Sequence, residues 1–276
     1  MISAIAFSKN RACQLHLFLE SVRKNANNVF DLTILYSHTD DSYKEAYQRV
    51  VGLFPEFNFV CETNFRDDTI NLCENVSNDT LAFFVDDDII YRELSLDDSF
   101  VDIFNSNVCS LSLRLGANTV IQDCYTGSGA IMPNIEHIVN DKFYCWNWLK
   151  MAHIHTNFGY PFSVDGNVYI ASEITQLIKA HDFDTPNSLE GGMPKGWLKD
   201  APLMACLETS VLVNTPINLV GSSQNRAGEH YGISIEEMND KYIDGWFIDY
   251  DSIDFSDIKG CHQELQMGFK CDLHLE

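Results

Sequence analysis

Positive charge is scarce in this chain. Its 276 residues hold 18 Lys and Arg against 40 Asp and Glu, a formal net charge of −22. That balance excludes a general nucleic-acid or anionic-membrane surface, both of which need clustered cations. A phosphate-bearing small ligand remains admissible, provided a metal or a few local cations overcome the background field. Long apolar runs are missing too. No window approaches 18 uninterrupted apolar residues, so no transmembrane helix is expected. Residues 1–7 lack a basic segment and are too short for a secretory signal core. The nine cysteines form no C-x-x-C pair and show no framework spacing. They read as buried, reduced thiols of a cytoplasmic protein, and a cysteine-built zinc site is not expected. No G-x-G-x-x-G follows the first apolar run, which speaks against a Rossmann dehydrogenase. Internal repeats, low-complexity tracts and linkers are absent.

Hydrophobic residues make up 45% of the chain, enough for the core of one large domain. Short apolar runs at 2–7, 32–36, 57–61 and 81–85 read as buried strands. Between them, 14–24 carries Leu15, Phe18, Leu19 and Val22 at helical spacing. Residues 42–54 repeat the pattern with Tyr43, Ala46, Tyr47 and Val50, and 69–76 make a third, short helix. This alternation over the first 90 residues predicts an α/β fold with a parallel, doubly wound sheet. Beyond Asp88 the pattern loosens. It gives a helix at 97–105, a strand at 108–115, an aromatic- and His-rich stretch at 143–160 and a helix at 168–180. A loop at 184–195 follows, then a segment at 203–213 that begins as helix and ends as strand. Residues 221–245 hold a Gly- and His-bearing loop and a helix at 234–242.

The chemistry concentrates in Leu81-Ala82-Phe83-Phe84-Val85-Asp86-Asp87-Asp88-Ile89-Ile90. Three carboxylates at the end of a buried strand repel one another and are costly to desolvate. A hard cation such as Mg²⁺ or Mn²⁺ removes that cost and prefers oxygen ligands. In α/β sheets the carboxyl ends of the strands are where ligands bind. A solvated acidic turn is the plainer reading of the triplet alone. Asp86 and Asp88 also form a D-x-D pair, which can share one octahedral cation that bridges a nucleotide diphosphate.

With these residues the chain resembles the glycosyltransferases of the GT-A fold, nucleotide-sugar-dependent enzymes built around a D-x-D motif. The matching stretches are Phe7-Ser8-Lys9-Asn10-Arg11 and Phe84-Val85-Asp86-Asp87-Asp88. Later stretches resemble small bacterial and viral members: Leu113-Arg114-Leu115-Gly116, Tyr160-Pro161-Phe162-Ser163-Val164-Asp165-Gly166 and Asn225-Arg226-Ala227-Gly228. The likeness spans roughly residues 1–245. It implies a single GT-A-like domain with a mixed, mostly parallel sheet flanked by helices. Residues 1–90 would form the nucleotide-binding half, 91–245 the acceptor and metal half, and 246–276 a C-terminal extension.

The resemblance also implies roles. Ser8, Asn10 and Arg11 are candidates for base, ribose or phosphate contacts, with Arg11 able to pair with a phosphate bidentately. Arg66, just ahead of the third helix, is a further nucleotide contact. Asp86 meets the ribose or the metal, Asp88 the metal, and Asp87 the nucleotide. His230, in Gly228-Glu229-His230-Tyr231, is the implied third metal ligand, an imidazole that suits Mn²⁺ better than Mg²⁺. Asp165 and Glu190 are the candidate catalytic carboxylates, one of them a general base in an inverting reaction. Asp165 also suits a helix N-cap. Trp146, Trp148 and Tyr160 suit either sugar stacking or the core.

The expected activity is metal-dependent transfer of a sugar from a nucleotide-diphosphate donor, a UDP-sugar above others, to a hydroxyl of a saccharide-type acceptor. Two rivals stay open. One is a sugar-phosphate nucleotidyltransferase, although the turn after the first strand has no glycine. The other is a non-catalytic, cation-dependent carbohydrate-binding protein.

Overall fold

The computed structural model describes residues 1–123, 127–154, 156–193, 200–220 and 226–271. Four parallel strands form its first half: β1 (Ile2–Lys9), β2 (Phe30–Ser37), β3 (Asn58–Cys61) and β4 (Thr80–Val85). Helices α1 (Ala12–Asn25), α2 (Asp41–Leu53) and α3 (Phe65–Glu74) connect them. The periodic apolar residues of α1 and α2 do what their spacing dictates: Leu15, Phe18, Ala46 and Val50 are buried in one core on one face of the sheet. Phe65 and Cys73 of α3 enter a second core on the other face. Asp40 caps α2 by accepting from Ser42 N and Tyr43 N at 3.0 and 3.2 Å. Asn64 caps α3 in the same way, so that helix starts at Phe65, four residues ahead of the position its apolar spacing marks.

After β4 the chain turns over Asp86 and Asp87 and enters β5 (Asp88–Ile90), which leaves the main sheet. The second half adds β6 (Val108–Ser112), the short β7 (Ile121–Asp123) and β8 (Ser128–Gly129), β9 (His137–Val139) and β10 (Phe143–Asn147). Helix α4 (Trp148–Ala152), β11 (Asn167–Ile170), α5 (Ala171–Lys179) and α6 (Pro186–Gly192) follow. Then come β12 (Leu203–Leu207), β13 (Leu212–Asn214), α7 (Ile235–Ile243), β14 (Trp246–Asp249) and β15 (Gly268–Cys271). The nine-stranded sheet has the order β3-β2-β1-β4-β11-β6-β12-β10-β9. Only β11 and β10 run against the other seven. The sheet is therefore mixed and mostly parallel, flanked by helices, as the sequence leads one to expect.

Three local expectations are corrected. The helix expected at 168–180 is a strand followed by a helix. Asn167–Ile170 is inserted antiparallel between β4 and β6, where apolar Val168 and Tyr169 face both cores. The helical start expected at 203 is strand β12, held between β6 and β10. The loop expected at 184–195 contains α6, started by a capping box in which Thr185 and Ser188 exchange bonds. Trp146 and Trp148 belong to a third apolar core and do not face solvent. No helix among the described residues is long and apolar enough to cross a membrane. His155, Asn225 and residues 272–276 lie outside the described residues.

Candidate active site

The aspartate triplet survives burial because every carboxylate accepts hydrogen bonds, some from donors shared between neighbours. Asp86 accepts from Ser8 Oγ at 2.9 Å, from Lys9 N at 3.3 Å and from Arg11 Nη1 at 2.9 Å. Asp87 accepts from the same Arg11 Nη1 at 2.9 Å and from Asn214 Nδ2 at 2.8 Å. Asp88 accepts from Val85 N at 3.0 Å and from Asn214 Nδ2 at 3.2 Å. The β5–β13 pairing places Asn214 opposite Asp88, so one amide serves two neighbouring carboxylates.

Arg11 is the cation beneath the triplet. Its Nε donates to Asn218 Oδ1 at 3.1 Å, and Nη2 donates to the Asn218 carbonyl oxygen. Burial opposes its charge, but Asp86 and Asp87 outweigh burial and raise its pKa further. Both arms of the guanidinium are thus taken up by protein acceptors. The guanidinium that the resemblance assigns to phosphate here donates to Asp86, Asp87 and Asn218. Ser8 links the triplet to Tyr47, whose hydroxyl lies 2.6 Å from Ser8 Oγ and accepts from Arg11 N at 3.2 Å.

Asn10 adopts a left-handed backbone, φ 57°, which Asn tolerates better than most residues. Its amide bonds Thr39 in both directions at 3.0 Å, fixing the turn after β1 to the turn after β2. Arg66 points elsewhere: it donates to carbonyls of Lys179 and His181 and lies over Phe183. His230 is exposed, with its backbone N–H donating to Glu264 at 2.7 Å. The fold does not bring Arg66 or His230 into contact with the triplet through any of these bonds.

A second cluster faces Asp88. The turn 164–166 presents Asp165, and it needs Gly166, whose φ is +72° and whose added Cβ would meet Leu212 Cδ1 at 2.8 Å. Asp165 Oδ2 accepts from Arg114 Nη1 at 2.9 Å and lies 3.0 Å from His262 Nε2. His262 forms an isolated bridge with Asn214, so it is the imidazole that the fold seats beside the triplet. Its Nδ1 lies 3.5 Å from Cys261 Sγ. Glu190, at the end of α6, accepts from Val164 N at 3.3 Å.

The electrostatics separate these carboxylates. Burial, then the nearby Asp165 charge, drives the Asp88 carboxyl well above the usual range. Burial pushes Asp86 up to about 6 against the opposing pull of Arg11. Burial also acts on Asp165, but the His262 hydrogen bond and the Arg114 charge outweigh it and hold this carboxyl below its usual value. Glu190 is pushed up to about 7 by burial and by Asp165. Asp165 is thus a fixed anion, while Glu190 is poised to exchange a proton near neutrality.

Sequence reading passed over His262, Asn214 and Asn218 as site residues and quoted Arg114 only within a resembling stretch. Arg114 carried a legible signal: an Arg inside the apolar run 108–115 demands a buried carboxylate. His262 and the two asparagines carried none, because their place depends on strand pairing far along the chain.

No family model matches this chain. It is 26% identical over 297 residues to the bifunctional glycosyltransferase pgtA of Dictyostelium discoideum, a match covering 98% of this chain and 38% of that protein. The chain thus spans under two fifths of the length of this curated relative. Among solved structures it is similar to S. aureus TarS in complex with UDP-GlcNAc. There the TM-score is 0.47 at 13% identity, over 84% of this chain and 62% of that one. The galactosyltransferase LgtC, in complex with donor and acceptor sugar analogues, gives 0.34 at 11% identity over 73% and 66%.

Proposed function

We propose that the chain is a metal-dependent glycosyltransferase that moves a sugar from a nucleotide-diphosphate donor, a UDP-sugar, to a hydroxyl of a saccharide acceptor in the cytoplasm. The observation that carries this reading is the pairing of two carboxylate clusters at the β4 end of the sheet. One is the Arg11-backed triplet, the other Asp165 with Arg114, His262 and Glu190. The 26% identity to part of a bifunctional glycosyltransferase, over 98% of this chain and 38% of that protein, supports it.

The residues fit a divalent cation. Asp88 is fully buried and feels the Asp165 charge, a repulsion that a cation between them relieves. Among the described residues no three His, Cys, Asp or Glu side chains form a group able to hold a metal by themselves. A Mg²⁺- or Mn²⁺-type site would use one or two carboxylates and complete its shell with water and substrate phosphate. Asp88 would hold the ion, with Asp86 behind it. His262 is the imidazole at hand, in place of the His230 that the resemblance implied. When bound, the cation offsets the charge that develops on the departing diphosphate.

The chain's own groups do the rest. Ser8, Asp86 and Asp87, fixed by Arg11 and Tyr47, present a rigid acidic and hydroxyl-bearing edge to the nucleotide's ribose. Asn10 shapes that edge through Thr39. Glu190 takes the proton from the acceptor hydroxyl as the new bond forms. Asp165 stays ionised, held by Arg114 and His262, and its charge keeps Glu190 basic. The test is turnover: purified protein with Mn²⁺ or Mg²⁺ and a panel of nucleotide sugars releases free nucleoside diphosphate. No release and no binding from any donor overturns the reading. Release of pyrophosphate from a nucleoside triphosphate would point to a nucleotidyltransferase.

A further inference from the structure

One face of the sheet carries a polar seam where two apolar cores meet. Phe83, Phe162 and Tyr169 belong to the core on one side of it. Cys109, Met204 and Cys206 belong to the core on the other. Between them β6 contributes Ser110 and Ser112, and β11 contributes Asn167, all fully buried. The antiparallel register sets Asn167 directly opposite Ser112. Such opposed residues have Cβ atoms about 4.5–5.5 Å apart. One further bond, from Leu113 N to Gly166 O at 2.9 Å, holds the two chains together past the strands, and beyond it Arg114 Nη1 meets Asp165 Oδ2 at 2.9 Å. Ser112 ends β6, and Arg114 follows it two residues on.

Four polar atoms of this seam are solvent-inaccessible and have no hydrogen-bond partner: Ser112 Oγ, Asn167 Oδ1, Asn167 Nδ2 and Arg114 Nε. The Asn167 amide lies beside the Tyr169 hydroxyl without meeting hydrogen-bond distance and angle. That hydroxyl already accepts from Ser163 N and donates to Ser163 O, each at 2.8 Å. A single orphan is an ordinary blemish. Four on three neighbouring side chains, each with unused donors or acceptors, are the lining that an internal water needs, since such a water makes two to four bonds to otherwise unsatisfied groups. The apolar cores on either side close the seam off.

We propose that Ser112, Asn167 and Arg114 Nε enclose an internal water site, and that its water fixes the guanidinium plane of Arg114 and so the aim of Asp165. Asn167 and Ser112 are then positioning residues, acting through the water and Arg114. The positioning role rests on the transferase reading; the water site does not. Arg114 Nη1 is committed to Asp165 and lies 3.2 Å from His262 Nε2, so the remaining freedom of the guanidinium is its rotation about that contact. A partner on Nε removes it.

The experiment joins a crystal structure of the unliganded protein with the variants Asn167→Leu and Ser112→Ala. Ordered water density within hydrogen-bond distance of at least two of the three side chains is the expected result. Asn167→Leu keeps the shape and removes two polar atoms while stranding the water, so its Tm is expected to fall by about 3 °C. Were the atoms dry orphans, the same change would raise Tm, because it removes an unsatisfied buried amide. Dry density, or a raised Tm, overturns the proposal. Should Asn167→Leu fail to fold, Ser112→Ala carries the same signs. In donor turnover, both variants are expected to lose about tenfold or more in kcat with the donor KM unchanged. A further variant, Asn167→Ser, which leaves room for a second water, is expected to recover most of that rate. Equal losses in kcat and in donor affinity would mark a merely structural role. An inactive parent protein would sink the transferase reading and leave the density and Tm results standing.

Discussion

Arg114, two residues past the end of β6, and Asp165, two residues ahead of β11, are joined side chain to side chain, with Nη1 2.9 Å from Oδ2 and both side chains almost fully buried. A buried pair of this kind is not a strong source of stability, because desolvation offsets the attraction. Removing one partner is different, since it strands the other charge. Arg114→Met is expected to cost about 3–5 kcal/mol in urea unfolding. Adding Asp165→Asn to that variant should recover most of the loss. A single variant as stable as the parent would show that Asp165 does not depend on Arg114.

As the proposed base, Glu190 is expected to set the pH dependence. Its carboxyl rises from an ordinary 4.5 to about 7 in the fold, so the folded state binds the proton more tightly than the unfolded chain. Its contribution to stability is fully present below about pH 4.5 and is lost as pH rises through 7. Activity runs the other way, because a base must be deprotonated, and turnover should climb with an apparent pKa near 7. Glu190→Gln should flatten the stability change between those pH values and lower kcat about 10²- to 10⁴-fold. A pH profile that Glu190→Gln leaves intact would remove this residue from the base role.

Asn218 tests the Arg11 arrangement. Its side-chain oxygen accepts from Arg11 Nε and from Gln14 Nε2 at 3.1 and 3.0 Å, and its amide donates to Ile233 O at 3.1 Å. Asn218→Ala leaves two buried donors unpaired, which costs about 1–3 kcal/mol. It should also weaken nucleotide binding, as Arg11 loses one side of its clasp. Thermal unfolding and nucleotide titration read the two effects separately. Full stability in the variant would mean that Gln14 and Arg11 find other acceptors.

The parallel half of the fold was legible because each element satisfies one local rule. Residues 81–85 are an unbroken apolar run, residues 2–7 are apolar but for Ser3, and the buried Leu15, Phe18, Leu19 and Val22 of α1 stand at helical spacing. The second half resisted because its strands are short and paired at long range. Asn167–Ile170 has four residues, and its apolar content suits a helix start equally well until β4 and β6 flank it. The site divides in the same way. Asp86, Asp87 and Asp88 are visible as a triplet. Asn214, which bonds Asp87 and Asp88, and Asn218, which bonds Arg11, are ordinary amides more than 120 residues downstream. His230 and His262 are indistinguishable by local sequence. Only the bridge between Asn214 and His262 selects the second.

The most direct measurement is a calorimetric titration of UDP, GDP and CDP into the protein, with and without Mn²⁺, on the parent and on Asp88→Asn. Asn keeps the shape of Asp88 and its place beside Asn214, and it removes the charge. The account predicts binding of one nucleotide, UDP, that requires the cation and disappears in Asp88→Asn while Tm is maintained. Binding of none of the three, or binding indifferent both to Mn²⁺ and to the charge on Asp88, would contradict it.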